Sequence, residues 1–175
     1  MKFEILGIGS ALVDVMIEVE DSFLEKEGLP KGGMTLVESG RSKELLAKFP
    51  DSEKKFCPGG AAANVIASFA CCGGNAAFAG KIGKDKTGHY FKSETERAGV
   101  HYIDLLSPEK QTGIVVSFIT SDGQRTFATH LGAAVEMKPA DLTASLLNQA
   151  PLLLVEAYLV FNPLLFSHIL ETAKQ

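Results

Sequence analysis

Pro58-Gly59-Gly60-Ala61-Ala62-Ala63-Asn64 sets two glycines and one carboxamide at the mouth of an apolar run that ends at Gly73-Gly74. Neither glycine carries a Cβ, so backbone at this point can approach a ligand closely. The alanines open a helix whose first amides lack partners and carry partial positive charge. Asn64 is the one polar side chain at that helix start. Two readings stand: a tight turn before a buried helix with Asn64 satisfying local backbone, or a grip on a small polyhydroxylated ligand. Two further groups share the geometry. Asp14 stands where the first strand ends, and Gly80-x-x-Gly83-x-Asp85 follows a later buried strand. Strand ends of an open α/β sheet are where ligands bind, so together the three outline a crevice.

Other chemistries fail on spacing. Gly7-Ile8-Gly9-Ser10-Ala11-Leu12 starts like a dinucleotide fingerprint, but Leu12 replaces the third glycine and a strand follows instead of a helix. Gly80-Lys81 lacks the phosphate-loop spacing, and Ile82 stands where Ser or Thr belongs. His89, His101, His130 and His168 share no metal-ligand spacing with one another or with the cysteines.

The elements that position these residues read as alternating strands and helices. Strands are expected over 3–9, 34–38, 75–83, 100–106, 113–120 and 151–155, with a one-sided alternating strand over 13–20. Helices are expected over 21–28, 42–49, from the Gly-Gly turn to Gly73, over 86–98, over 139–148 and from Asn162-Pro163 onward. Ser121-Asp122-Gly123-Gln124 is a hairpin signal. The alternation predicts an α/β layer with a parallel sheet. The 13–20, 34–38 and 113–130 pieces break it and predict a small antiparallel sheet on one side.

The chain has 175 residues, 46% of them hydrophobic and 22% charged, which suits one globular domain. Its net charge is −4 and no Lys/Arg cluster exceeds a pair such as Lys54-Lys55, so no nucleic-acid partner is expected. No apolar run reaches membrane-spanning length and the N-terminus lacks a signal-peptide core, so a cytoplasmic protein without a membrane partner is expected. Cys57, Cys71 and Cys72 are an odd set with two neighbours, which predicts reduced thiols packed as small apolar groups.

At the residues quoted above the chain resembles the ribokinase-type (PfkB) carbohydrate and nucleoside kinases. Gly59-Gly60-Ala61-Ala62-Ala63-Asn64 followed by Gly80-Lys81-Ile82-Gly83-Lys84-Asp85-Lys86-Thr87-Gly88 is similar to that family's N-terminal signature. Asp21 to Leu29 and His130-Leu131-Gly132-Ala133-Ala134 resemble the first lid helix and lid return of its adenosine kinases. The resemblance implies a ribokinase-like three-layer α/β fold with a mostly parallel sheet plus a small β lid, the lid drawn from 13–38 and 113–130. It implies ATP-dependent phosphorylation of a sugar or nucleoside hydroxyl, with Mg²⁺. By position, Asp14 would accept from sugar hydroxyls, Gly59 and Gly60 would admit the sugar to the backbone, and Asn64 would bond a neighbouring hydroxyl. Leu12, Leu131, Ala133 and Tyr158 would line the region for a base or the rest of the substrate.

There are departures. Ser10 and Met34 stand where adenosine kinases tend to carry Asn and Gln, and Val135 replaces an Asn. Family members are much longer, and their anion hole, catalytic aspartate and most of the ATP site lie in a second half. None of Asp85, Asp104, Asp122 or Asp141 matches that aspartate, so no catalytic base is nominated. Glu171-Thr172-Ala173-Lys174-Gln175 carries no helix stop, which predicts a truncated chain, inactive alone, that holds the substrate-binding half. The alternative is a non-catalytic binding or dimerisation fragment, monomeric or paired through its lid strands.

Overall fold

Four strands, β1 (Ile5–Ile8), β5 (Ala76–Gly83), β6 (His101–Ser107) and β9 (Leu152–Val155), form an all-parallel sheet in the order β6-β5-β1-β9. The computed structural model describes residues 2–173. Every residue of β5 is buried, as a central parallel strand covered on both faces requires. Its side chains alternate between two cores. Ala77 and Ala79 join Leu6, Ile8, Leu142, Leu147, Leu165 and Ile169 on one side. Ala76 and Phe78 join Ala62, Ala63, Ile66 and Phe91 on the other. Helices α3 (Ala61–Cys71) and α4 (Lys86–Arg97) cover the second face, and α5 (Ala144–Leu147) and α6 (Pro163–Thr172) the first. The result is a three-layer α/β stack, as expected.

The second sheet has five strands in the order β3-β8-β7-β2-β4, namely β2 (Leu12–Glu18), β3 (Met34–Leu36), β4 (Lys55–Gly59), β7 (Thr112–Ile119) and β8 (Arg125–Gly132). It is mixed, not antiparallel throughout: β2 runs parallel to β7 and β3 parallel to β8, while β2·β4 and β7·β8 are antiparallel. The chain passes through β5 and β6 between β2 and β7, and such a long crossover returns strands in parallel. One face buries Val15, Ile17, Val116, Phe118 and Ala128 under α1 (Asp21–Glu27) and α2 (Ser39–Ala47). The hairpin over Ser121–Gln124 forms, with Gly123 at φ 81° and its amide donating to the Thr120 carbonyl at 2.8 Å.

Several local expectations need correction. β4 was not expected, because Pro58 interrupts it; proline fits here since β4 is an edge strand. The helix expected over 139–148 is split into a 3₁₀ turn, Pro139–Asp141, and α5, because Thr143 caps a new start at Ala144, its hydroxyl accepting from the Leu146 amide. Helix α1 follows Glu20, which caps it without a side-chain bond, and ends at Gly28 with φ 66°. Helix α2 starts three residues before Ser42, at Ser39. Helix α3 is only half buried, with Val65 51% exposed. Cys71 and Cys72 are exposed at its end instead of packed, since no element covers that turn. Helix α6 runs to Thr172, and Lys174 and Gln175 of the unclosed run lie outside the described residues. Among the described residues no helix is long and apolar enough to cross a membrane.

Candidate functional site

Register across the second sheet builds one row, Cys57–Asp14–Val115–Thr129–Leu36, from β4 to β3. Alternation puts this row on the face away from α1 and α2. Leu12, Val115 and Ala134 cluster there with Phe127 and Leu131. Asp14 therefore sits half-buried in a mainly apolar sheet face. Burial pushes its carboxyl above the usual range, and the Arg125 guanidinium opposes that more weakly. Burial, then the Asp14 charge, pushes the Cys57 thiol up as well, so it stays protonated at neutral pH.

Asp14 is set apart by what it lacks. Asp21 and Asp122 hold Lys31 at 2.7 and 2.8 Å, Asp51 holds Lys54 at 2.8 Å, Asp104 holds Lys92 at 2.6 Å and Asp141 holds buried Lys81 at 2.7 Å. Asp85 accepts from the Gly88 amide at 2.7 Å and from the Thr112 amide and hydroxyl at 2.8 Å each. It caps α4 and ties that turn to β7, so the Gly80-x-x-Gly83-x-Asp85 stretch is spoken for structurally. Asp14 alone among the aspartates has neither hydrogen bond nor ion pair among the described residues. A desolvated carboxylate without a partner costs free energy, and such groups mark functional sites.

The glycines lie against it. A Cβ built on Gly59 would fall 2.6 Å from the Asp14 Cγ, so only glycine leaves that carboxylate its place. Gly60 has φ 98° and ψ 132°, and a Cβ there would overlap the Ser10 carbonyl oxygen. From Gly60 the chain enters α3, and the Asn64 amide donates to the Gly60 carbonyl at 3.0 Å. The Asn64 carboxamide makes no hydrogen bond among the described residues and is exposed, lining a cleft of about 390 Å³ between β4, α3 and α4. Asp14 does not line that cleft; it lies one strand away, opposite Cys57, which does. The structure thus brings Gly59 against Asp14, with Leu12 and Leu131 on the same sheet face, while Asn64 lines the neighbouring cleft with Cys57.

Ala133 and Tyr158 stand at opposite extremes of exposure. Ala133 is fully buried, its amide donating to the Gln111 carbonyl at 2.8 Å, and its neighbour Ala134 packs on Leu12 instead. The 3₁₀ turn starting at Ala133 directs the side chains in this way. Tyr158 stands 61% exposed in the turn after β9 and joins no buried cluster.

Glu156 is the residue sequence reasoning missed. Only 5% exposed, it accepts from the Ser10 amide at 3.2 Å and from the Ala62 amide at 3.4 Å. One carboxylate so joins the exits of β1 and β9 to the positive end of α3. Gly9 admits it, for a Cβ there would lie 2.6 Å from Glu156 Oε2. A carboxylate directly after the apolar Leu152–Val155 run is the strand-end signal that could have found it. Glu156→Ala leaves two buried amides unsatisfied and is expected to cost about 2 kcal/mol, with Glu156→Gln losing less than half of that in chemical denaturation.

Comparison with known proteins places the chain among sugar and nucleoside kinases in family and fold. Residues 45–175 match the sequence profile of the pfkB family carbohydrate kinases. The chain is 29% identical over 148 residues to adenosine kinase of Saccharomyces cerevisiae, covering 81% of this chain and 43% of that protein. It is 38% identical over 81 residues to a fructokinase of Vibrio alginolyticus, covering 45% and 26%. The crystal structure of adenosine kinase from Sinorhizobium meliloti superposes with a TM-score of 0.90 at 32% identity, over 99% of this chain and 54% of that one. The chain thus spans less than half of these curated relatives and about half of that solved structure.

Proposed function

The chain belongs to the pfkB family of carbohydrate kinases, and on that footing we propose that it supplies the acceptor-binding half of an ATP-dependent kinase acting on a sugar or nucleoside hydroxyl. The observation that carries the reading is Asp14, a half-buried carboxylate without a partner among the described residues, on the sheet face away from α1 and α2, with Gly59 against it and the Asn64 carboxamide lining the adjoining cleft. A carboxylate accepts hydrogen bonds from two neighbouring hydroxyls in one plane. Asn64 donates to or accepts from a third. Leu12, Leu131 and Val115 offer an apolar wall to the C–H face of a ring. The second sheet then acts as the lid over this ligand. Relatives named as adenosine kinase and fructokinase support both acceptor classes.

Phosphoryl transfer asks for a group to take the hydroxyl proton and for charge stabilisation around the moving phosphoryl. Residues 2–173 do not furnish them. Every aspartate other than Asp14 is paired, and among the described residues no three His, Cys, Asp or Glu side chains stand close enough to hold a cation. The described residues therefore do not fit Mg²⁺. The acceptor half is expected to bind sugar or nucleoside without turning over ATP; steady ADP release by the purified 175-residue chain with adenosine, ribose or fructose would overturn this.

Calorimetric titration with those three compounds tests the site directly. Asn64→Ala is expected to weaken binding roughly tenfold, the worth of about one hydrogen bond, and to shift melting by less than about 2 °C. A large fall in melting temperature with unchanged affinity assigns Asn64 to the turn instead. A second reading has its own observation: Met34 and Leu36 on the edge strand β3 are 50% and 61% exposed. They favour a homodimer paired through the lid edge, which sedimentation velocity resolves from a monomer.

A further inference from the structure

The parallel sheet is open along β9. No strand pairs beyond it among the described residues, and Leu152–Val155 carries no charge or proline to blunt the edge. The opposite edge is guarded, for β6 carries Asp104, which holds Lys92 of α4 at 2.6 Å. The Glu156 amide donates to the Ile8 carbonyl at 2.9 Å, so alternation turns the amides and carbonyls of Leu153 and Val155 away from β1, towards the open side. Both flanking helices present apolar residues on that side. On α3, Asn64 and Ala67 line the cleft against α4, which puts exposed Val65 and Phe69 round the other side of the helix, towards β9. On α6, His168 Nε2 donates to the Leu142 carbonyl at 2.8 Å, on the side where α5 lies. That leaves exposed Leu170 on the side of the β9 edge, where Leu152 is 62% exposed. From Pro151 to Leu170 the one Asp, Glu, Lys or Arg is Glu156, and it is buried.

We propose that a second copy of this chain pairs antiparallel on β9, about a two-fold axis perpendicular to the parallel sheet. Such an axis sets α3 beside α3 and α6 beside α6, so all three layers continue into the partner and each apolar flank meets its own kind. Centred on Leu154, the pairing lets Leu153 and Val155 exchange backbone hydrogen bonds with Val155 and Leu153 of the second copy. The area is sufficient. The exposed parts of Val65, Phe69, Leu152 and Leu170, with those of Phe161 and Leu164 where β9 turns into α6, come to roughly 750 Å², close to the ~800 Å² that each partner gives a stable interface. With no exposed charge along β9 and its turn, the face has nothing to steer a charged ligand and suits a copy of itself. Asp14 lies on the other sheet and the Asn64 cleft on the far side of α3, so the dimer leaves the acceptor site open.

Sedimentation equilibrium of the 175-residue chain should show a closed monomer–dimer equilibrium with a dissociation constant on the order of 10 µM or below. Amide hydrogen exchange supplies the location. The Leu153 and Val155 amides should be protected above that concentration and exchange at least about tenfold faster well below it. Leu152→Lys with Leu170→Lys, both at exposed positions, should raise the dissociation constant at least about tenfold while the monomer keeps its far-UV circular dichroism. Met34→Lys, on the lid edge, should leave the constant as it is. A chain that stays monomeric, exchange at Leu153 and Val155 that ignores concentration, or assembly that continues past the dimer overturns the proposal. So does a dimer that Met34→Lys dissociates and the paired Leu152→Lys and Leu170→Lys change does not, which would assign it to the lid edge instead.

Discussion

Asp14→Asn is expected to abolish measurable sugar or nucleoside binding while making the free chain more stable at neutral pH. Hydrogen bonds to a charged acceptor are each worth about 1.5–3 kcal/mol, so losing a two-pronged grip should weaken affinity at least about a hundredfold. The gain in stability has the opposite origin. Burial raises the folded-state carboxyl of Asp14 above its ordinary 3.8, so the folded chain holds that proton more tightly than the unfolded chain does. The folded form is then favoured below the unfolded value, and this advantage is lost as pH rises through the folded one. At pH 7 the wild-type chain carries the whole penalty of an ionised, desolvated, unpartnered side chain, and asparagine carries none of it. The difference in melting temperature between variant and parent should therefore shrink as pH drops towards about 4. A melting series from pH 7 to 4 beside a binding isotherm checks both halves. If asparagine destabilises at pH 7, then a partner holds that carboxylate in solution and the case for it as a ligand contact fails.

How much of this was legible beforehand follows from which interactions are local. The glycine pair, the alanines and Asn64 are contiguous, so the turn, the helix behind it and their outward amides can be read from six neighbouring residues. Asp14 was expected at a strand end but lies inside β2, paired across to Cys57 and Val115, and sequence could not show that it is the aspartate left without a partner among the described residues. That depends on Lys31, Lys54, Lys81 and Lys92 finding the others across turns and between elements. Strand direction in the second sheet was illegible for a similar reason. Alternation reports which face is wet, but the parallel pairing of β2 with β7 follows from a crossover through two other strands. Pro58 hid β4 because a proline signals a break unless the strand is known to lie at an edge. Glu156 was missed because its value lies in two backbone amides far off in sequence, those of Ser10 and Ala62. Ala133 and Ala134 are interchangeable as residue types. Only the 3₁₀ turn decides which one meets Leu12.

The adjacent glycines should fail in different ways when each is changed to alanine, and the contrast locates the ligand grip. Gly60 occupies φ 98° and ψ 132°, a region that residues with a Cβ avoid at a cost of about 1–3 kcal/mol. The added methyl would also press on the Ser10 carbonyl, which is backbone and yields only by moving the exit of β1. Overpacking of that kind typically adds about 1–3 kcal/mol, so Gly60→Ala is expected to cost about 4 kcal/mol in all and to lower melting by roughly 8–16 °C. Gly59 has no positive φ, and its methyl would meet a side chain, the carboxylate of Asp14. That side chain can swing aside. Gly59→Ala should thus keep most of the stability and lose most of the binding, because the carboxylate is displaced from its hydroxyl-accepting position. A double-mutant cycle separates the two cases. Adding Gly59→Ala to a chain already changed at Asp14 to Ala should cost almost nothing further in affinity, whereas Gly60→Ala should destabilise that chain as much as it does the parent. Additive losses of affinity at Gly59 and Asp14 would mean the methyl blocks the ligand itself, and would move the bound ring from the sheet face onto the turn.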